Sequence, residues 1–139
     1  MPIDIETLAT ILRDTAKAEI LPRFRNLDEG MVRRKSEAID LVTEADEVAE
    51  RVISARILKH APETIVIGEE AVAADPSLLG KLPDAEYAIT VDPLDGTANF
   101  AAGVPLFAVM AAVVRRGEVV SGVIYDPMGD DWVMAEKGS

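Results

Sequence analysis

The residues best suited to chemistry lie in Asp92-Pro93-Leu94-Asp95-Gly96-Thr97-Ala98-Asn99-Phe100. A strand-like run, Tyr87-Ala88-Ile89-Thr90-Val91, delivers Asp92 and Asp95 onto a segment that Pro93 and Gly96 turn. An earlier apolar run, Thr64-Ile65-Val66-Ile67-Gly68, ends in Glu69 and Glu70. Anions crowded at the mouth of a buried strand are costly unless a cation neutralises them. Two strands that each end in carboxylates therefore read as pieces of one metal site. Glu69, Asp92 and Asp95 offer only oxygen, which suits Mg²⁺, Mn²⁺ or Ca²⁺ rather than zinc. The irregular backbone can add the Leu94 carbonyl. If a helix begins after the turn, the N–H groups of Gly96 and Thr97 are available to a phosphate. The Thr97 hydroxyl can then orient a water. The chemistry indicated is metal-assisted phosphoryl transfer or hydrolysis. The plainer reading of Asp-Pro-x-Asp-Gly is a pair of turn formers.

The flanking elements must position these groups. Asp4 can cap a first helix, with Glu6 in its first turn and Ile5, Leu8, Leu12, Ala16 and Ile20 at helical spacing. Pro22 kinks or ends it. Asn26 to Gly30 reads as a loop, and Met31 to Leu41 as irregular or weakly extended. Thr43-Glu44-Ala45-Asp46 fits a capping box opening a second helix that runs to about Lys59 and is closed by Pro62. Ala45, Ala49, Val52, Ile53 and Ile57 line its apolar face; Glu47, Glu50, Arg51 and Lys59 face water. Ile65 to Gly68 and Tyr87 to Val91 are short strands, joined by a loop from Ala71 to Asp84. The apolar run Leu106 to Val114, a hairpin turn at Arg115-Arg116-Gly117-Glu118, the run Val119 to Tyr125, a turn at Asp126 to Asp130, and Trp132 to Ala135 complete a meander. The expectation is an α+β domain with two helices packed on an antiparallel sheet.

Composition narrows the function. The chain has 139 residues, enough for one domain with its own core, and is 49% hydrophobic. A net charge of −11 argues against nucleic acid and acidic membranes as partners. The absence of cysteine excludes disulfides and thiolate metal sites. The one histidine, His60, reads as incidental surface, and Lys35 as a solvated lysine. Glu70 reads as surface or as support for a ligand. Asp126, Asp130 and Asp131 read as turn residues. With no leader and no apolar run of the ~20 residues that span a bilayer, a cytoplasmic location is expected.

Taken together, Asp92 to Phe100, the upstream Ile67-Gly68-Glu69-Glu70 and the segment Asp40-Leu41-Val42-Thr43-Glu44-Ala45-Asp46 resemble the inositol monophosphatase family. Gly103-Val104-Pro105 and the hairpin that follows stand in the expected order. The resemblance implies Mg²⁺-dependent hydrolysis of a small phosphomonoester, with Mn²⁺ as a possible substitute and inhibition by lithium. It implies that Glu69, Asp92 and the Leu94 carbonyl hold a first metal, that Asp92 and Asp95 reach a second, and that Glu69 holds a weaker third. It pairs Thr97 with Asp46 to activate water and gives the phosphate to the Gly96 and Thr97 amides. The partners implied are a phosphorylated polyol or sugar and a second copy in a homodimer.

Members of that family are about twice as long. Residues 1–139 thus resemble the N-terminal, metal-binding half of an αβαβα layered fold, without the C-terminal α/β half that completes the site and reads the substrate. An inositol-type substrate is favoured by Thr97-Ala98-Asn99-Phe100. Fructose bisphosphate, histidinol phosphate and phosphoadenosine phosphate are the alternatives. Two further readings compete: a metal-binding half-domain without turnover, and an interaction module using its sheet edge.

Overall fold

Asp4 starts the first helix, α1 (Ile5–Thr15), by accepting from the Thr7 amide at 2.8 Å and the Thr7 hydroxyl at 2.6 Å. The computed structural model describes the backbone of residues 1–25 and 35–138, and side chains of residues 1–25 and 44–138. The expected loop at Asn26 to Gly30, residues 31–34 and the surroundings of Lys35 lie outside the described residues. Beyond α1 the chain widens into a π-helical turn over Ala16–Ile20 and tightens into a 3₁₀ turn over Leu21–Arg23, which holds Pro22 in its first positions.

Helix α2 spans Lys35–His60. It begins well before Thr43, so Asp46 lies inside the helix and not at its start, and the weakly extended segment expected up to Leu41 is helical from Lys35. Ala45, Ala49, Ile53 and Ile57 are fully buried at four-residue spacing. His60 is exposed at the last position.

The strands form one five-stranded sheet in sequence order: β1 (Ile65–Gly68), β2 (Ala88–Asp95), β3 (Ala108–Arg115), β4 (Glu118–Asp126) and β5 (Asp131–Glu136). The α+β reading holds, but the sheet is mixed. β1 runs parallel to β2, and the remaining pairs are antiparallel. The parallel pair is possible because the connection is long. The expected loop from Ala71 to Asp84 contains a short helix, α3 (Glu69–Ala74), and a 3₁₀ segment, Pro76–Lys81, which carry the chain back to the start of β2. Acidic residues in its first turn and alanines beyond make α3 helical. The β3–β4 hairpin turns at Arg116 (φ 47°) and Gly117 (φ 82°), the paired left-handed geometry of a two-residue loop.

Helices α1 and α2 cover one face of the sheet. Leu8, Leu12, Ala49 and Ile53 pack with Ile89, Val91, Val109, Val113, Val123 and Tyr125. The other face is a shallow apolar groove over Thr90, Met110, Ala112, Gly122, Ile124 and Val133. Asp130 does more than turn the chain: it accepts from the Tyr125 hydroxyl at 2.7 Å and pairs with Lys17 at 3.2 Å, tying the β4–β5 turn to the first helical segment.

The two faces predict different sensitivities. Replacing buried Ile53 with Ala leaves a cavity under the sheet and costs about 2–5 kcal/mol in a denaturant titration. Val133→Thr on the open face, where Val133 is 69% exposed, changes stability by no more than about 0.5 kcal/mol.

Candidate functional site

The parallel register places the site. Gly68 pairs with Val91, so Glu69, the first residue after β1, comes beside Asp92 of β2. The neighbouring Asp92 carboxyl group, followed by burial and the charges of Asp92, Asp46 and Glu70, pushes Glu69 up to about 7. Asp92 Oδ1 also accepts from the Leu94 amide at 3.3 Å, bending the chain after the strand.

A β-bulge then sets the direction of Asp95. The register with β3 shifts from Asp92↔Met110 to Asp95↔Ala108, so β2 takes three steps where β3 takes two. Pro93, which cannot donate to a ladder, sits inside the bulge. On a regular strand, residues three apart face opposite sides. Here Asp92 and Asp95 oppose residues two apart and share a face. Asp95 is exposed, and Leu94 is buried beneath the turn.

The next turn needs glycine. Gly96 has φ 88°, and a Cβ there would lie 2.9 Å from the Leu106 carbonyl. A one-turn helix, α4 (Thr97–Ala101), follows, with Thr97 exposed at its start. Its first amides have no intrahelical partner. Asn99 Nδ2 donates to the Leu106 carbonyl at 2.9 Å and ties α4 to the approach of β3.

Helix α2 brings in the remaining acids. Asp46 is buried and pushed up to about 7, chiefly by burial and then by the charges of Glu70, Asp92, Glu50 and Glu47. Its Oδ1 has no hydrogen-bond partner among the described residues. Because α2 already runs from Lys35, Asp46 does not start this helix, and no described contact joins it to Thr97. Glu50, expected to face water, is buried instead. Its carboxylate accepts from the Glu70 amide at 2.7 Å and the Ala71 amide at 3.0 Å. The missed signal was the four-residue spacing of Asp46 and Glu50, which puts both beside the apolar stripe. Glu70 is raised by burial first and then by Glu50 and Glu47.

Glu69, Asp92 and Asp46 are thus gathered into one electrostatic group, with Leu94 behind them. Asp95, Gly96 and Thr97 form the adjoining turn. Among the described residues no three carboxylate or imidazole side chains form a ready-made ligand cluster. The neighbouring Glu69 and Asp92 carboxyl groups nevertheless fit a hard cation, because their donors are oxygens.

A mixed five-stranded sheet with helices on one face, whose neighbouring strands present acids beside a glycine turn, is the arrangement of a phosphatase family. The profile of the inositol monophosphatase family matches residues 4–139, and the chain belongs to that family. It is 41% identical over 99 residues to an inositol-1-monophosphatase of Mesorhizobium japonicum, covering 71% of this chain and 35% of that protein. It is 36% identical over 109 residues to a fructose-1,6-bisphosphatase of Pyrococcus furiosus, covering 78% and 39%. The crystal structure of the extragenic suppressor protein SuhB of Bartonella henselae superposes with a TM-score of 0.74 at 28% identity, over 97% of this chain and 48% of that one. The chain thus spans between a third and a half of the length of these relatives. No described helix is long and apolar enough to cross a membrane.

The raised acids give a pH signature. Glu69 and Asp46 hold protons up to about 7 in the folded chain, against ordinary values of 4.5 and 3.8. Their contribution to stability is complete below the ordinary values and is lost as pH rises through 7. Asp4, Asp75 and Asp130 are lowered by their hydrogen bonds and act only in more acid solution. In EDTA the melting temperature therefore falls between pH 5 and pH 8, as read by circular dichroism.

Proposed function

We propose that this chain is the metal-binding half of a Mg²⁺-dependent phosphomonoesterase that hydrolyses inositol monophosphate or a similar small phosphorylated polyol or sugar. The observation that carries the reading is the parallel register Gly68↔Val91, which sets Glu69 beside Asp92 and next to the Gly96–Thr97 turn. Glu69, Asp92 and the Leu94 carbonyl hold the Mg²⁺, and Asp95 extends the donor set toward a second ion. When bound, the cation neutralises phosphate charge and acidifies water. The Gly96 and Thr97 amides receive the phosphate. The Thr97 hydroxyl orients the attacking water, and the buried Asp46 carboxylate accepts its proton. Mn²⁺ substitutes for Mg²⁺, lithium inhibits, and the protein acts as a cytoplasmic homodimer.

An inositol-type substrate is favoured by the higher identity to the Mesorhizobium relative. The Pyrococcus relative makes fructose bisphosphate the second candidate. This half alone binds metal but turns over poorly, because the groups that position a substrate are worth orders of magnitude in rate. Phosphate release by the full product of the gene, assayed with Mg²⁺ on inositol phosphate and fructose bisphosphate, tests the activity. Release from neither by a folded protein overturns it.

A variant tests the metal centre directly. Asp92→Asn removes one of the two neighbouring charges. The variant melts higher than the wild type at pH 8 in EDTA, and Mg²⁺ no longer raises its melting temperature. If Mg²⁺ stabilises the variant as much as the wild type, Asp92 is not a ligand.

A further inference from the structure

Glu50 and Gly68 have no role in the chemistry above, yet they make the tightest polar arrangement next to it. The first-turn amides of α3 receive no local cap, because the residue before the helix is Gly68. Such amides ordinarily find a side chain just upstream. Here the acceptor comes from another helix, twenty residues earlier in sequence. The buried Glu50 carboxylate takes the Glu70 amide at 2.7 Å with one oxygen and the Ala71 amide at 3.0 Å with the other. Gly68 has φ −93° and ψ 157°, extended backbone that any residue adopts. Its lack of a side chain therefore serves space, not conformation. A Cβ on Gly68 would lie 2.1 Å from Glu50 Cδ.

We propose that Glu50 is a positioning residue: its carboxylate clamps the start of α3 so that Glu69 meets Asp92, and Gly68 is glycine to admit it. The clamp joins the two halves of the acidic group. Asp46 lies one helical turn before Glu50 on α2, and Glu69 lies immediately before the amides that Glu50 holds. Fixing Glu50 to α3 thus fixes the distance between Asp46 and Glu69. The effect on metal rests on the Mg²⁺ reading above; the clamp itself does not.

The test uses Glu50→Ala, Glu50→Gln and Gly68→Ala in the chain, with Glu47→Gln as a control for lost charge on an exposed face of the same helix. Hydrogen exchange at the Glu70 and Ala71 amides is expected to quicken about tenfold in Glu50→Ala and less in Glu50→Gln, which keeps one oxygen acceptor. Mn²⁺ affinity, read by calorimetry, is expected to fall about tenfold in Glu50→Ala, to recover in part in Glu50→Gln, and to stay near wild type in Glu47→Gln. Gly68→Ala destabilises the wild type but costs less in the Glu50→Ala background, where the space is vacant. Unchanged exchange at Glu70 and Ala71, or an equal cost of Gly68→Ala in both backgrounds, overturns the clamp. If Glu50→Ala does not fold, Glu50→Gln and Gly68→Ala decide the question. If the wild type binds no Mn²⁺ while exchange and coupling behave as stated, the metal reading fails and the clamp stands.

Discussion

The parallel pairing of β1 with β2 is the constraint on which the site depends. An antiparallel arrangement would send Glu69 to one end of the sheet and Asp92 to the other. The register Gly68↔Val91 instead brings both chain exits to one end, where each strand gives way to a short helix. Backbone hydrogen bonding in the sheet, with no help from the acidic side chains, is what forces two carboxylates together. The bulge at Pro93 adds the next step, turning Asp95 to the same side as Asp92.

That placement opposes folding electrostatically. Glu69 is raised first by the neighbouring Asp92 carboxyl group, and Asp46 first by burial, so the group tends to keep protons at neutral pH. The rest of the molecule must hold it in place. The fully buried stripe Ala45, Ala49, Ile53 and Ile57 presses α2 against the sheet, and the same helix carries Asp46 and Glu50 on the neighbouring stripe. Burial of apolar surface thus supplies the free energy that keeps acids in proximity. The acidic group sits where local rules of charge and capping are broken, and the core around it obeys them.

Much of this was legible in the residues. Ile65 to Gly68, the start of β2, the hairpin at Arg116-Gly117, the Asp4 cap and the apolar spacing of α2 follow from period and turn chemistry. The parallel sense of β1 did not, because strand direction depends on the length and content of the connection, and Ala71 to Asp84 looked like an unstructured loop with its prolines and glycine. The capping-box pattern at Thr43 to Asp46 misled because the same residue types also occur inside a helix, and α2 already begins at Lys35. Glu50 was read as surface for the ordinary reason that glutamates are seldom buried. Its burial depends on two amides twenty residues away, a contact that no local pattern encodes.

The two chain exits are held by different physics. The Glu69 exit is fixed by polar contacts, through the carboxylate of Glu50 beneath Gly68. The Thr97 exit is fixed mainly by aromatic packing. Phe24, Phe100 and Phe107 form a trio with ring centroids 5.4, 5.0 and 5.1 Å apart, joining the end of the first helical segment, α4 and the approach to β3. Gly96, lying against the Leu106 carbonyl and the Phe107 backbone, lets α4 sit close to that trio. A carboxylate held by two amides depends on a charge, whereas an aromatic cluster does not. The two sides of the acidic group are thus anchored independently, one by a charge and the other by apolar packing.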